Sequence, residues 1–464
     1  MAASLWGEAE RRLWFWALTV CAAVLAACAV LVEVPGYPCV GVLPPYYNYT
    51  CFVEAALFSA AFAALRRQDG PRGALRWALA AAAAAALMEM LWAHSRGALA
   101  AAAAGSALFM WRNDCRRRLL PVAGVLAVVL AFATWAKLDV AQSFKRPQIW
   151  KAAAECVRDH PILGAGPGRF AEEFLRHNFP AGYGPVNFRA RADHAHSEVL
   201  EAMAELGLPG LLLLLAALWA SLKPPPAGHS TWTQEAGLAA FAAMSVQCCT
   251  DNMLQLPALG LLYVSALAVA REPASDAAPA GLPAWRALAW AGLLLAAVAW
   301  VPGRLVGLWQ ASGRPEALLR AVRLAPADPY LREDLYWALL SQRPPRVEEA
   351  LVQLSRAESL SPFNAVYPKE RSRLLAGRGE WPQALAAADR ALALEPDYLS
   401  ARLSRAEALL SLGRRTEARG ELVETGRRDS ALGPRPEGGT GYEAFILGFD
   451  RAAYERLVLR AASD

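Results

Sequence analysis

The feature that limits this chain most is a succession of apolar runs broken by short basic stretches. In order they are Leu13 to Val34, Phe52 to Leu65, Trp77 to Ala93, Ala98 to Trp111, Leu119 to Ala136, Leu208 to Leu222, Ala236 to Cys249, Leu254 to Ala270 and Trp285 to Val301. A helix that crosses the hydrocarbon layer needs about 20 residues, so the shorter runs extend into their polar flanks. With 56% hydrophobic residues the pattern excludes an ordinary water-soluble globule. It predicts an all-α, polytopic helical membrane protein of about nine spans, followed by a more polar C-terminal part.

The basic residues give a direction to these spans. Arg11 and Arg12 precede the first run, Arg66, Arg67, Arg72 and Arg76 follow the second, and Arg112, Arg116, Arg117 and Arg118 follow the fourth. The stretch from Pro35 to Tyr49 has no Lys or Arg. Because basic loops stay in the cytoplasm, the N-terminus is expected inside. The polar segment after the fifth run then lies outside, Lys223 and Arg271 lie inside, and everything after Val301 lies outside. The first run is too long for a cleaved signal peptide and reads as an uncleaved span. A net charge of +5 divided among such loops does not suggest a nucleic-acid surface. Eight scattered cysteines, without a CxxC or Cys/His spacing, suggest neither zinc nor a disulfide framework.

The expected domains are residues 1–137 (membrane helices), 138–206 (an extracytoplasmic loop), 207–304 (membrane helices) and 305–464 (a C-terminal domain). The chemistry-bearing residues gather on the outer side. Ser95-Arg96-Gly97 falls at the outer end of the third span. In the loop, Arg146-Pro147-Gln148-Ile149-Trp150 opens a helix that stops at Asp159-His160-Pro161. Gly164, Gly166 and Gly168 follow without the Lys-Ser/Thr of a phosphate-binding loop. Such a run is either an anion-cradling turn or simply a tight one, and the second reading is favoured. His194 and His196 precede the sixth run, in what reads as the start of its helix. On a helix their two-residue spacing points them about 200° apart, so joint metal binding is disfavoured and no metal or other cofactor is expected. A histidine that titrates near neutrality suits general-base work on a hydroxyl instead, with structural hydrogen bonding as the alternative reading.

Taken together these motifs resemble a known family. His196-Ser197, nine residues, Gly207, two residues and Gly210 is similar to a His-[Asn/Ser/Gln]-x9-Gly-x-x-Gly pattern of the O-antigen ligase and polymerase membrane family. Arg146-x-x-x-Trp150, the run from Asp159 through Phe170, Ser95-Arg96-Gly97, and Asp251 with Pro257 resemble its other motifs. Asn48-Tyr49-Thr50-Cys51-Phe52 resembles the start of a helix that in the family follows several more spans, whereas one precedes it here.

The resemblance implies a metal-independent glycosyltransferase of the bacterial inner membrane, working on the extracytoplasmic face. It would move a glycan from an undecaprenyl diphosphate carrier to an acceptor hydroxyl on lipid, glycan or protein. His196 would be the general base, with Arg96 and Arg146 gripping the diphosphate. Arg191, His194, Gly166 and Gly168 are further candidates for substrate contact. Ligase, polymerase and protein O-oligosaccharyltransferase remain open, as does a non-catalytic envelope scaffold.

The C-terminal part repeats itself. Ala350, Ala384 and Ala418 recur every 34 residues, as do Ala357 and Ala391, Pro362 and Pro396, and Gly379 and Gly413. This resembles tetratricopeptide repeats, with an end repeat near Glu316 to Tyr336 and a break from Gly433 to Gly441. Such a surface binds a protein or peptide partner, or caps the enzyme.

Overall fold

A computed structural model describes residues 8–31, 47–93, 95–113, 146–180, 189, 191–222, 230–271, 303–432, 446 and 448–463. Two expected spans, Leu119 to Ala136 and Trp285 to Val301, lie outside these residues, as do His94, Ala190, Lys223 and the break after Gly433. The described elements are helices, apart from one isolated antiparallel bridge between Pro180 and Arg189. The chain divides into two compact units: residues 1–170 with 194–289, and residues 171–193 with 290–464.

The first unit holds α1 (Glu8–Leu31), α2 (Tyr47–Arg66), α3 (Ala74–Trp92), α4 (Arg96–Arg112), α5 (Arg146–Asp159), the first residue of α6 (Phe170–His177), α7 (Glu198–Leu222), α8 (Trp232–Cys248) and α9 (Pro257–Ala270). Tyr49–Arg66, Ala74–Trp92 and Glu198–Leu222 are long and apolar enough to cross a membrane, and α9 is a shorter apolar helix. At the centre stands α8, packed by α2, α4 and α9, with every residue from Trp232 to Met244 buried. Such close approach requires small residues. A Cβ on Gly105 would fall 2.3 Å from the Ala239 carbonyl oxygen, and one on Gly237 would fall 2.8 Å from Val269.

The two ends of α8 differ chemically. At its start, Thr231 and Gln234 form a capping box, and the Arg112 guanidinium holds Glu235 through Nη2–Oε1 at 2.8 Å and Nε–Oε2 at 3.1 Å. Arg67 donates to the Ser230 carbonyl, and Asp69 accepts from the Trp232 N–H. The other end, some 25 Å away at 1.5 Å per residue, leads into Thr250 and Asp251.

The second unit holds the rest of α6 and the helices α10 (Pro315–Leu324), α11 (Pro329–Leu340), α12 (Val347–Leu360), α13 (Val366–Gly377), α14 (Trp381–Leu394), α15 (Leu399–Ser411), α16 (Arg415–Leu432) and α17 (Arg451–Ala462). Consecutive helices pack as α11 with α12, α13 with α14, and α15 with α16. The starts of α12, α14 and α16, at Val347, Trp381 and Arg415, keep the 34-residue interval. The recurring alanines Ala350, Ala384, Ala418, Ala357 and Ala391 are completely buried in these helices, where only a methyl group fits. Buried tyrosines fill the rest. Tyr336 donates to Glu370 Oε2 at 2.7 Å and accepts from Arg373 at 2.9 Å. Burial alone would raise the Glu370 carboxyl, but Lys369 and Arg373 outweigh it and hold the group below its usual range.

Candidate active site

In the first unit the polar residues converge where α8 ends, and α5 supplies two of them from one face. Arg146 and Trp150 are four residues apart and therefore neighbours on the helix surface. Arg146 donates through Nη1 to the Thr250 carbonyl at 2.8 Å and through Nη2 to Asp251 Oδ2 at 2.7 Å. The Trp150 indole N–H is 3.3 Å from the His196 carbonyl oxygen. Asp251 Oδ1 lies 3.2 Å from His196 Nδ1 and also accepts from the Asn252 N–H.

The electrostatics of this trio follow from its burial. The Asp251 side chain is 10% exposed, against 41% for His196 and 26% for Arg146. Burial would raise the Asp251 carboxyl, but the His196 hydrogen bond and the Arg146 charge more than offset it and hold it below its usual range. A charged carboxylate at Nδ1 selects the tautomer with the proton on that nitrogen, which leaves the Nε2 lone pair as the basic site. His196 is held at φ 49°, the one non-glycine residue with positive φ among those described. A left-handed backbone costs energy and is maintained only where surrounding contacts enforce it.

The helix reading of the histidine pair needs correction, because α7 starts at Glu198 and both histidines precede it in irregular backbone. Ser197 starts the helix by accepting from the Leu200 N–H. The side chains still diverge. His194 Nδ1 lies 3.2 Å from Glu201 Oε1 and 2.8 Å from Gln255 Nε2, while His196 turns to Asp251.

Arg96 is the first residue of α4, which Ser95 caps through the Ala98 N–H. Its neighbour Gly97 lies so near Thr250 that a Cβ would fall 3.0 Å from Oγ1. The start of α4 and Arg146 thus both meet Thr250. Arg191 belongs to the second unit, where its guanidinium lies 4.7 Å over the Tyr330 ring and bonds Asp193 at 3.2 Å.

The glycine turn docks on a break in α7. Gly207 takes φ 66° and ψ −162°, and Pro209 has no N–H to give the Glu205 carbonyl. Gly166 supplies that bond at 3.0 Å, Ala165 takes the Ala204 carbonyl at 2.8 Å, and the Leu208 N–H turns to Pro161. A Cβ on Gly207 would fall 2.2 Å from the Ile162 carbonyl oxygen, and one on Gly164 2.3 Å from the Glu205 backbone. Gly164, Gly166 and Gly168 all have positive φ, as a tight turn requires. The Gly168 and Phe170 N–H groups are directed at an anion from the chain itself, the Glu205 carboxylate, at 2.9 and 3.1 Å.

Four acidic residues at this site escaped sequence reasoning in these roles. Glu198, Glu201 and Glu205 line one face of α7, and each accepts backbone N–H groups, from Leu254, from Ala195, and from Gly168 and Phe170 respectively. Glu201 also accepts from Asn252 and Gln255 at 2.8 Å. The available signal was acid at spacings of three and four at the head of an apolar helix. Asp251 was visible only as a charge that interrupts an apolar run.

The O-antigen ligase family model matches residues 80–215, which carry Arg96, Arg146, the glycine turn and both histidines. The resemblance drawn from the motifs is shown for this stretch, and the match stops before Asp251 and the helical repeats. No curated protein matches the chain.

Proposed function

We propose that this chain, carrying the O-antigen ligase domain over residues 80–215, transfers a glycan from an undecaprenyl diphosphate carrier to an acceptor hydroxyl on the extracytoplasmic face of the bacterial inner membrane. The observation that carries the reading is the His196–Asp251–Arg146 contact at the end of α8. Asp251 orients the imidazole through Nδ1, and Nε2 takes the proton of the attacking hydroxyl. The diphosphate is already a good leaving group, so the remaining need is charge stabilisation where negative charge develops. Arg96 at the start of α4 serves that need, aided by the positive end of the helix. Arg146 spends two donors on Asp251 and Thr250 and offers its remaining N–H groups to the same diphosphate.

No metal enters this scheme. The nine-span topology, with the loop and the repeats outside, belongs to the same proposal, as does the tetratricopeptide identity of α10 to α16. Lipid A core, a growing polysaccharide and a protein are acceptors of one chemistry. A glycan profile of a deletion strain separates them: unligated polymer on the carrier marks a ligase, single repeat units a polymerase, and under-glycosylated protein a protein transferase. A profile identical to wild type would overturn the reading.

A further inference from the structure

The His196–Asp251 pair joins two stretches of the first unit that lie outside its helices, His194 to Ser197 before α7 and Thr250 to Leu256 between α8 and α9. An imidazole and a carboxylate on such backbone stay aligned only if both stretches are fixed to something rigid. One residue meets both. Glu201, on the first turn of α7, is buried and turns its two oxygens to different partners. Oε2 accepts from the Ala195 N–H at 2.8 Å, one residue before His196, and from the Asn252 side-chain amide at 2.8 Å, one residue after Asp251. The Asn252 backbone N–H in turn donates to Asp251 Oδ1, the oxygen that faces His196. Oε1 accepts from the Gln255 amide at 2.8 Å and lies 3.2 Å from His194 Nδ1. A single carboxylate thus spans both sides of the pair, and its Ala195 contact adjoins the backbone that holds His196 at φ 49°. Ala195 and Asn252 are themselves buried, so water does not readily replace the oxygen that serves them. The neighbouring acids of α7 reach one side each: Glu198 accepts from Leu254, and Glu205 from the glycine turn.

We propose that Glu201 is a positioning residue for transfer: it fixes the backbone on either side of the His196–Asp251 pair and so keeps Nδ1 on the carboxylate, without touching substrate. His196 keeps its unfavourable backbone only while its neighbours are held, and the Ala195 N–H is the nearest such hold on its N-terminal side. The role requires an acceptor oxygen more than a charge. Glutamine at this position keeps an oxygen for Ala195 and Asn252, and its NH2 finds an acceptor in the Gln255 carbonyl once that amide turns over. Alanine leaves the buried donors without a partner.

The part of the claim that concerns transfer rests on the proposed function, whereas the part that concerns backbone order does not. Full-length protein in reconstituted membranes would be compared with its variants by hydrogen exchange and by transfer from purified lipid-linked glycan, at matched protein level. Glu201→Ala should speed exchange in peptides covering 194–200 and 250–256, with α4 unchanged. Its kcat should fall about tenfold while KM for the donor is kept, since alignment acts on the chemical step. Glu201→Gln should retain both protection and rate. In Asp251→Asn protein, whose imidazole has already lost its alignment, adding Glu201→Ala should cost less than about twofold more, because both changes act through one contact. Unaltered exchange in the two peptides would overturn the claim. So would a Glu201→Gln variant as slow as Glu201→Ala, or a full tenfold loss in the Asp251→Asn background, since a residue that acts elsewhere is additive with the pair. If Glu201→Ala protein does not reach the membrane, Asn252→Ala removes one arm alone: faster exchange at 250–256 with a lower kcat is expected, and unaltered exchange there would overturn the claim. Absence of transfer by the unmodified protein would count against the proposed function alone, leaving the exchange result to decide this inference.

Discussion

The two units fill the space between their helices differently. In the first, α8 meets its neighbours through Ala239, Ala240, Ala243 and the glycines at 105 and 237, with Phe52, Leu57 and Phe241 buried beside them, while α7 turns Leu212, Leu213 and Trp219 outward. In the second, the alanines are again small contact points, but Leu318, Leu354, Leu385, Leu409 and the tyrosines 336, 367 and 398 fill the space between helices. Where helices pack in lipid there is little hydrophobic gain, so close approach carries more of the attraction, and the glycine contacts of the first unit allow it. Where helices pack in water, burial of each apolar atom contributes, and the leucines and tyrosines of the second allow that. The same contrast explains why α8, although central, is only 17 residues long and is not among the helices apolar enough to span by composition. A helix surrounded by protein need not satisfy lipid.

Substitutions can break this comparison. The largest effect is expected for Gly105→Leu, because the obstruction is the backbone oxygen of Ala239 and cannot rotate away. The cost should exceed the ~1–3 kcal/mol usual for overpacking, and correctly inserted protein should be lost from the membrane fraction. Retention of normal levels would mean that α4 and α8 are not in close contact. In the repeat unit the vulnerable change is the reverse one. Leu354→Ala should cost about 2–5 kcal/mol and lower the melting temperature of that unit, with membrane insertion intact.

The smallest effect concerns Glu395, whose carboxyl is pushed up to about 7 by burial even though Arg189 acts to lower it. An acid raised in the folded state favours folding below its ordinary pKa of 4.5, and loses that contribution as pH rises through about 7. Glu395→Gln should therefore flatten the pH dependence of repeat stability between these values. An unchanged slope in thermal melts from pH 5 to about 8 would contradict this.

What the sequence made legible differs between the units in the same way. Period carried the repeats: the 34-residue interval anticipates the starts of α12, α14 and α16, since alanines recur wherever helices touch. Apolar runs located α2, α3, α4, α8 and α9 to within a few residues, with ends shifted where caps such as Ser95 and Thr231 begin a helix inside polar sequence, whereas α7 starts at Glu198, well before its run at Leu208. The site was legible as residue types and not as geometry. Arg146 and Trp150 were read as a motif, but nothing local showed that the helix spacing sends one to Asp251 and the other to the His196 carbonyl, since both partners are distant in sequence. The helical assignment of His194 and His196 failed because Ser197 caps a helix that starts only at Glu198. Glycine substitution space told more than glycine counting. Gly207 and Gly164 are required by backbone contact, whereas a Cβ on Gly168 would meet nothing within 4 Å, and it is the positive φ of Gly168 that a side chain would strain.

The central claim is that the chemistry resides in the first unit, on an imidazole aligned by Asp251. The most direct test is the rate of glycan transfer from purified lipid-linked donor by His196→Ala protein in reconstituted membranes, at matched protein level. Removing a general base typically costs ~10² to 10⁴ in rate, and the account predicts a loss in that range with both units still folded. Transfer at the wild-type rate would contradict it.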